Sequence, residues 1–310
     1  MRIAVMGTGG VGGYFGGRLA EAGVEVTLIA RGPHLRTLQQ QGLRIESVAG
    51  DAHVTNLRAT DDPATVGVVD AVLVATKTWQ VAEAARRMGP LLGPDTLVVG
   101  LQNGVEAAGQ LGAVVGSDRV AGGTCRLISM LAGPGHIRHV GNPPWIAIGD
   151  LTGTTHERCL GLKHTFDAAR GVQFEVHEDV RIAMWQKFLF IASASGVGAA
   201  ADATLGELRR VPETRKTLER AMAEVARLAE TMGVPLGVDA VDRALKFTDS
   251  LPAEGTTSMQ RDLLNGRPSE LEAQSGAVVR LGEQHGVDVP VHRLLHAVLQ
   301  PRELRARSKP

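Results

Sequence analysis

The chain has 310 residues, 44% of them hydrophobic and 21% charged, with Lys+Arg and Asp+Glu equal at 33 each. That length implies two domains rather than one core. The balanced charge argues against nucleic acid or a membrane surface as a partner drawn in by long-range field. Two cysteines, Cys125 and Cys159, show no metal-type spacing, so neither a disulfide framework nor a metal site is expected. A reducing cytoplasm suits them.

The amino terminus, "MRIAVMGTGG", runs straight into a short apolar strand, without the long apolar segment of a signal peptide. No run approaches the ~18 apolar residues of a membrane span. In chain order, "RIAVMG" reads as a buried strand and residues 10–22 as a small-residue helix. "VEVTLIAR" is a second strand, and "DAVLVATK" and "DTLVVGLQNG" are two more, with a helix over roughly 79–91 between them. Continuous β-branched runs bounded by Gly, Asp and Pro suit a parallel sheet covered on both faces. "DRVAGGTCRLISMLAGPGHIRHVGNPPWIAIGD" reads as later strands with Gly-Pro turns.

After about Val176 the texture becomes helical. "PETRKTLERAMAEVARLAETMGV" carries a charged outer face and an Ala/Leu/Met inner stripe. "PSELEAQSGAVVRLGEQHGV" reads as another helix, stopped by Gly286, and "RARSKP" as a short tail. The fold class expected is α/β: a Rossmann-type dinucleotide-binding domain over 1–178, then an all-helical substrate and catalytic domain over 179–310. The Ala-rich helices could pack as a homodimer.

Gly7-x-Gly9-x-x-Gly12 lies between the first strand and first helix, the context a dinucleotide loop requires. Gly7 permits the tight turn, Gly9 lets backbone approach a pyrophosphate, and Gly12 allows close helix–strand packing. Thr8, Gly10 and Val11 complete the stretch that would meet the phosphates at the helix N-terminus. The second strand ends at Arg31, where an NAD site usually places a carboxylate; His34 and Arg36 follow. A guanidinium there suits the 2′-phosphate of NADP, against the plainer reading of a solvated surface arginine. Lys77 and Asn103 follow two successive strands at their carboxyl ends, where ligands of open α/β sheets lie.

"GTGGVGGYFGGRLAEAGVEVTLIAR", "ATKTWQ", "LQNGV", "WQKF" and "TSMQRDLLNGRPSELE", in this order, resemble the ketopantoate reductase (2-dehydropantoate 2-reductase) family over nearly the whole chain. The resemblance implies reduction of a branched 2-oxo acid by NADPH on the route to pantothenate. It puts the catalytic lysine on Lys187, a functional glutamate on Glu270, a substrate serine on Ser258 and cofactor-side positions on Lys77 and Asn103. Lys187 interrupts the apolar run "MWQKFLFIASAS", where an ammonium near a ketone oxygen could stabilise its developing charge and supply a proton. Each assignment has a plainer counterpart. Lys187 could snorkel to water. Glu270, after Pro268 and Ser269, would suit the first turn of a helix, and Ser258 adjoins Thr257-x-x-Gln260, a capping-box pattern.

The resemblance also implies two asparagines one and two turns beyond the lysine. Here Ile191 and Ser195 occupy those positions, on the face of Lys187. Ser195 keeps polar capacity toward substrate, whereas Ile191 cannot hydrogen-bond. A D-2-hydroxyacid dehydrogenase for another branched or aromatic acid is therefore the enzymatic alternative. A non-catalytic NADP sensor is a third reading, but it would not need Lys187 and Glu270 together.

Overall fold

Strand β1 (Arg2–Met6) is buried on both faces: Ile3 and Val5 enter one apolar cluster, Ala4 and Met6 another. This two-sided burial explains its unbroken apolar run. In the computed structural model, which describes residues 1–308, β1 lies inside a ten-stranded sheet. It pairs in parallel with β2 (Glu25–Ile29) and with β6 (Ala71–Val74). β7 (Leu97–Gly100) and β8 (Val120–Gly133) continue on the β6 side. The short β5 (Arg58–Thr60) closes the edge beside β2.

The rest of the sheet departs from the parallel expectation. β8 folds back on β9 (His136–Gly149) as an antiparallel hairpin whose turn uses Gly135 at φ +67°. β3 (Leu43–Ser47) and β10 (Gln173–Val176) pair with β9 in parallel, and β4 (Ala52–Val54) pairs antiparallel with β3. These are short or partly exposed strands, so they lack the apolar runs that mark the first four. Helices α1 (Gly10–Glu21), α2 (Gly32–Gln41), α3 (Val81–Arg87), α4 (Ala107–Val115) and α5 (His156–Phe166) accompany the sheet. The helix expected over 79–91 is broken into a 3₁₀ turn, α3 and a second 3₁₀ turn at Gly89–Leu91, where Pro90 removes a backbone donor.

The sheet and its helices form one compact unit, Met1–Gln102 with Ala107–Val180; the second comprises Asn103–Glu106 and the chain from Arg181 onward. The second unit is helical: α6 (Val180–Ala201), α7 (Leu205–Arg210), α8 (Pro212–Thr231), α9 (Ala240–Ser250), α10 (Ser258–Leu264), α11 (Ser275–His285) and α12 (Pro290–Arg307). Its core gathers Trp185, Phe188, Leu218, Met222, Val225 and Val278. α6 is buried nearly all round from Ala192 to Ala199, as its apolar composition demands. α8 is amphipathic, with Leu218, Ala221, Met222, Val225 and Leu228 inward.

Gly286 ends α11 in the left-handed conformation at φ +69°. The helix begins at Ser275, not at Pro268. Ser269 is drawn instead to Glu303 of α12 through both its N–H and its hydroxyl, and residues 271–274 form turns. Arg305–Arg307, read as tail, complete α12; residues 309 and 310 lie outside the described chain. Among the described residues no helix is long and apolar enough to cross a membrane, and no cluster of three or more His, Cys, Asp or Glu could hold a metal.

Candidate functional site

In the sheet unit, the glycine loop that leaves β1 is tied down by the neighbouring strand β2. Gly7 N–H and the Thr8 hydroxyl both donate to the Ile29 carbonyl, at 3.3 and 2.8 Å. Gly7 adopts φ +93°, and a Cβ there would meet the Thr76 backbone at 2.8 Å. At Gly12 a Cβ would lie 2.1 Å from the Gly7 carbonyl, so no side chain fits. Gly10 is closed against the Ser129 carbonyl of β8, and Val11 packs on the core. Gly9, the N-cap of α1, has nothing within 4 Å of where its Cβ would be. The loop therefore presents open backbone at a helix N-terminus with no acidic residue in its first turn, a cradle suited to a pyrophosphate.

Arg31 is the N-cap residue of α2 and keeps 60% of its side chain exposed. Its Nη2 donates to Glu83 Oε1 of α3 at 2.9 Å, a partner the local sequence does not announce because it lies 52 residues away. Lys77 is exposed just beyond β6, with Nζ 5.8 Å from the Trp79 ring centroid, within cation–π range. Arg36 is exposed. His34 is not a third cation here. Its Nδ1 accepts the Gly135 N–H at 2.9 Å, and burial holds the imidazole pKa below its usual value.

The helical unit brings together a second set. Gln102, the last residue of the preceding segment, is buried and donates to the Val74 and Thr76 carbonyls, fixing where the chain leaves the sheet. Asn103, at the start of the 103–106 segment, donates from Nδ2 to Glu270 Oε2 at 2.8 Å. Glu270 is 6% exposed and stands at a bend five residues before α11 begins, not in the first turn of that helix. Gly104, at φ +97°, allows the segment to approach Ala273, whose carbonyl a Cβ would meet at 2.8 Å. Arg280 then clips Glu106 at 2.8 Å and Glu272 at 3.3 Å, and His296 Nε2 lies 2.9 Å from Glu272.

Lys187 and Ile191 are half-buried on α6 and Ser195 is fully buried. The Ser195 and Ser193 hydroxyls lack a protein hydrogen-bond partner, as do the buried Gln274 amide and the Ser275 hydroxyl. Ser258 is the first residue of α10, half-buried; the cap itself is Thr257, whose hydroxyl accepts the Gln260 N–H while Gln260 answers at the Thr257 N–H. Glu83, Glu106, Arg280 and Gln274 have no motif and were not legible as neighbours of these sites. The pairing of Glu83 with Arg31 and of Glu106 with Arg280 depends on tertiary contact.

A Rossmann-like mixed sheet with this glycine loop, followed by a helical unit in which an amide donates to a buried carboxylate, defines a dinucleotide-dependent oxidoreductase. Residues 3–153 match the family model described as ketopantoate reductase PanE/ApbA, and residues 179–303 match that of its C-terminal part. The chain belongs to the ketopantoate reductase family. It is similar to a 2-dehydropantoate 2-reductase of Halobacterium salinarum, with 33% identity over 95% of this chain and 96% of that one. A second such relative, from Mesorhizobium japonicum, is 32% identical over 91% of each chain. The crystal structure of a PanE/ApbA family ketopantoate reductase from Ralstonia eutropha superposes with a TM-score of 0.89 at 34% identity, covering 99% of this chain and 100% of that one.

Proposed function

We propose that the protein reduces 2-dehydropantoate to pantoate with NADPH, with Lys187 as the proton donor. The observation that carries the reading is the part-buried Asn103–Glu270 hydrogen bond, which joins two motifs that the family pattern assigns to the site.

A bound reduced nicotinamide supplies hydride. The residues of this chain do the rest. Gly7, Thr8, Gly9, Gly10, Val11 and Gly12 form the loop at which the pyrophosphate would rest, with Gly9 giving the open approach. Arg31 is the cation for the 2′-phosphate, through a planar fork that a phosphate matches, and Lys77 stands on the cofactor side. In the helical unit, Ser258 and the Asn103 amide can hydrogen-bond the 2-oxo acid. Lys187 Nζ gives a proton to the carbonyl oxygen as negative charge gathers there, becomes a neutral amine, and is reprotonated from solvent. Glu270 fixes the Asn103 amide, and Ser195 offers a further hydroxyl.

One observation favours a second substrate reading. Ile191 puts an aliphatic side chain one turn beyond Lys187, which suits a branched or aromatic 2-oxo acid without a hydroxyl. Both readings are tested by following NADPH absorbance over ketopantoate and a panel of branched and aromatic 2-oxo acids, with NADH in parallel. Highest kcat/KM on ketopantoate is expected. A larger value on an aromatic acid would install the second reading, and no oxidation with any acid would sink both.

A further inference from the structure

We propose that Glu83 is a specificity-determining residue for the dinucleotide: it occupies the Arg31 guanidinium in the free protein, opposes the incoming 2′-phosphate, and offers the 2′-hydroxyl of NADH an acceptor. The proposal rests on the reading of Arg31 as the 2′-phosphate residue and adds a term that works against it.

The geometry is specific. Arg31 follows β2 and Glu83 lies in the first turn of α3, after β6; in the sheet β1 separates these two strands. The Arg31–Glu83 bond therefore spans the carboxyl end of β1, from which the glycine loop departs. Both side chains remain half-exposed, at 60% and 50%, so the pair is open to a ligand rather than sealed. Arg31, Arg87 and Arg86 all act to hold the Glu83 carboxyl pKa below its usual range, the Arg31 hydrogen bond most, so Glu83 is anionic at neutral pH.

An exposed ion pair of this kind is weak and screened by salt. A phosphate dianion gives a guanidinium stronger, bidentate hydrogen bonds, so it wins Arg31 from Glu83. The carboxylate is then left close to a dianion, and like charges at that distance oppose binding. With NADH no dianion arrives. Glu83 can then accept from a ribose hydroxyl, the role a carboxylate at this end of the sheet ordinarily plays. Glu83 therefore narrows the preference for NADPH.

Isothermal titration of the purified full-length protein with adenosine 2′,5′-bisphosphate, NADPH and NADH tests this without turnover. Glu83→Gln keeps the shape and removes the charge. It should tighten adenosine 2′,5′-bisphosphate and NADPH by about two- to fivefold at low salt, the scale of an exposed pair. The gain should shrink at high salt, while NADH weakens. If Glu83→Gln binds the bisphosphate no more tightly while Arg31→Ala binds it more weakly, the role of Glu83 is overturned and that of Arg31 stands. If Arg31→Ala binds the bisphosphate as well as the parent does, the phosphate reading of Arg31 itself fails.

Discussion

Asn103 and Glu270, 167 residues apart in sequence, are joined by one 2.8 Å hydrogen bond in which the amide donates to a buried carboxylate. The bond tells the two ends of the amide apart: the nitrogen faces the carboxylate, so the carbonyl end is turned away from it. It also makes the site sensitive to charge. Asn103→Asp would set a second carboxylate within hydrogen-bond distance of the first, and two such groups cannot both ionise cheaply. Measured against the parent at each pH, the variant should lose more stability at pH 8 than at pH 5, where one proton can be shared. Thermal melts of both proteins at the two pH values check this. A variant-minus-parent difference in melting temperature that is the same at both pH values would mean that the pair is not held together in solution.

Lys187 is half-buried on a helix whose other side chains nearby, Trp185, Phe188 and Leu189, are core. Lys187→Ala should therefore fold with an unchanged circular dichroism spectrum and lose turnover by ~10²–10⁴-fold, the usual worth of a general acid. NADPH affinity should hold, because the cofactor residues are carried by the sheet. Retention of near-full turnover would return Lys187 to a snorkelling role.

How far the sequence reaches can be judged on these residues. The first strands and the glycine loop were legible because two-sided burial forces continuous apolar runs, and because Gly7 and Gly12 have no room for a Cβ. The mixed half of the sheet was not. β4 and β5 are only three residues long, too short to show a period, so their pairing is decided by neighbours. Ser269 shows the same limit: its pattern suits a helix start, yet it stands in irregular chain, bonded to the Glu303 carboxylate. The Arg31–Glu83 contact was hidden for a different reason. The strand-end motif says which residue stands where a carboxylate usually would, but not what reaches it from another helix.

A pH dependence follows from the helical core. His292 is fully buried, its backbone N–H donating to Glu224 Oε2 at 2.9 Å and its ring Nε2 3.2 Å from the Ala221 carbonyl, and burial pushes its imidazole pKa down to about 4 from 6.5. The lowered value means that the fold keeps the neutral ring. Between pH ~6.5 and 4 the unfolded chain takes up a proton that the fold refuses, so stability falls as pH falls through that window. The loss should reach about 2 kcal/mol between pH 7.5 and 5. Glu224, whose carboxyl burial raises, acts in the opposite sense nearer its own range. His292→Gln should flatten the decline seen in denaturant unfolding at the two pH values; an equally steep decline in the variant would assign it to other groups.

The substrate preference turns on Ile191. Its side chain is half-buried one turn beyond Lys187, with the fully buried Ser195 a further turn on. An aliphatic wall cannot select strongly for a hydroxyl-bearing substrate, since it leaves no polar group unpaired when the hydroxyl is missing. Ketopantoate should bind through its 2-oxo-carboxylate end, yet discrimination against 2-oxo-3,3-dimethylbutyrate, which lacks the terminal hydroxyl, should be weak. The two kcat/KM values should differ by less than ~100-fold, well below the ~10⁴ that a dedicated hydroxyl site attains. Ile191→Asn should widen the gap in favour of ketopantoate. Strong selectivity in the unmodified protein would instead assign hydroxyl recognition to another group. Ser195 is the first to test, because its hydroxyl is buried without a protein hydrogen-bond partner and so has bonding capacity to offer. Ser195→Ala would then collapse the selectivity that Ile191 does not provide.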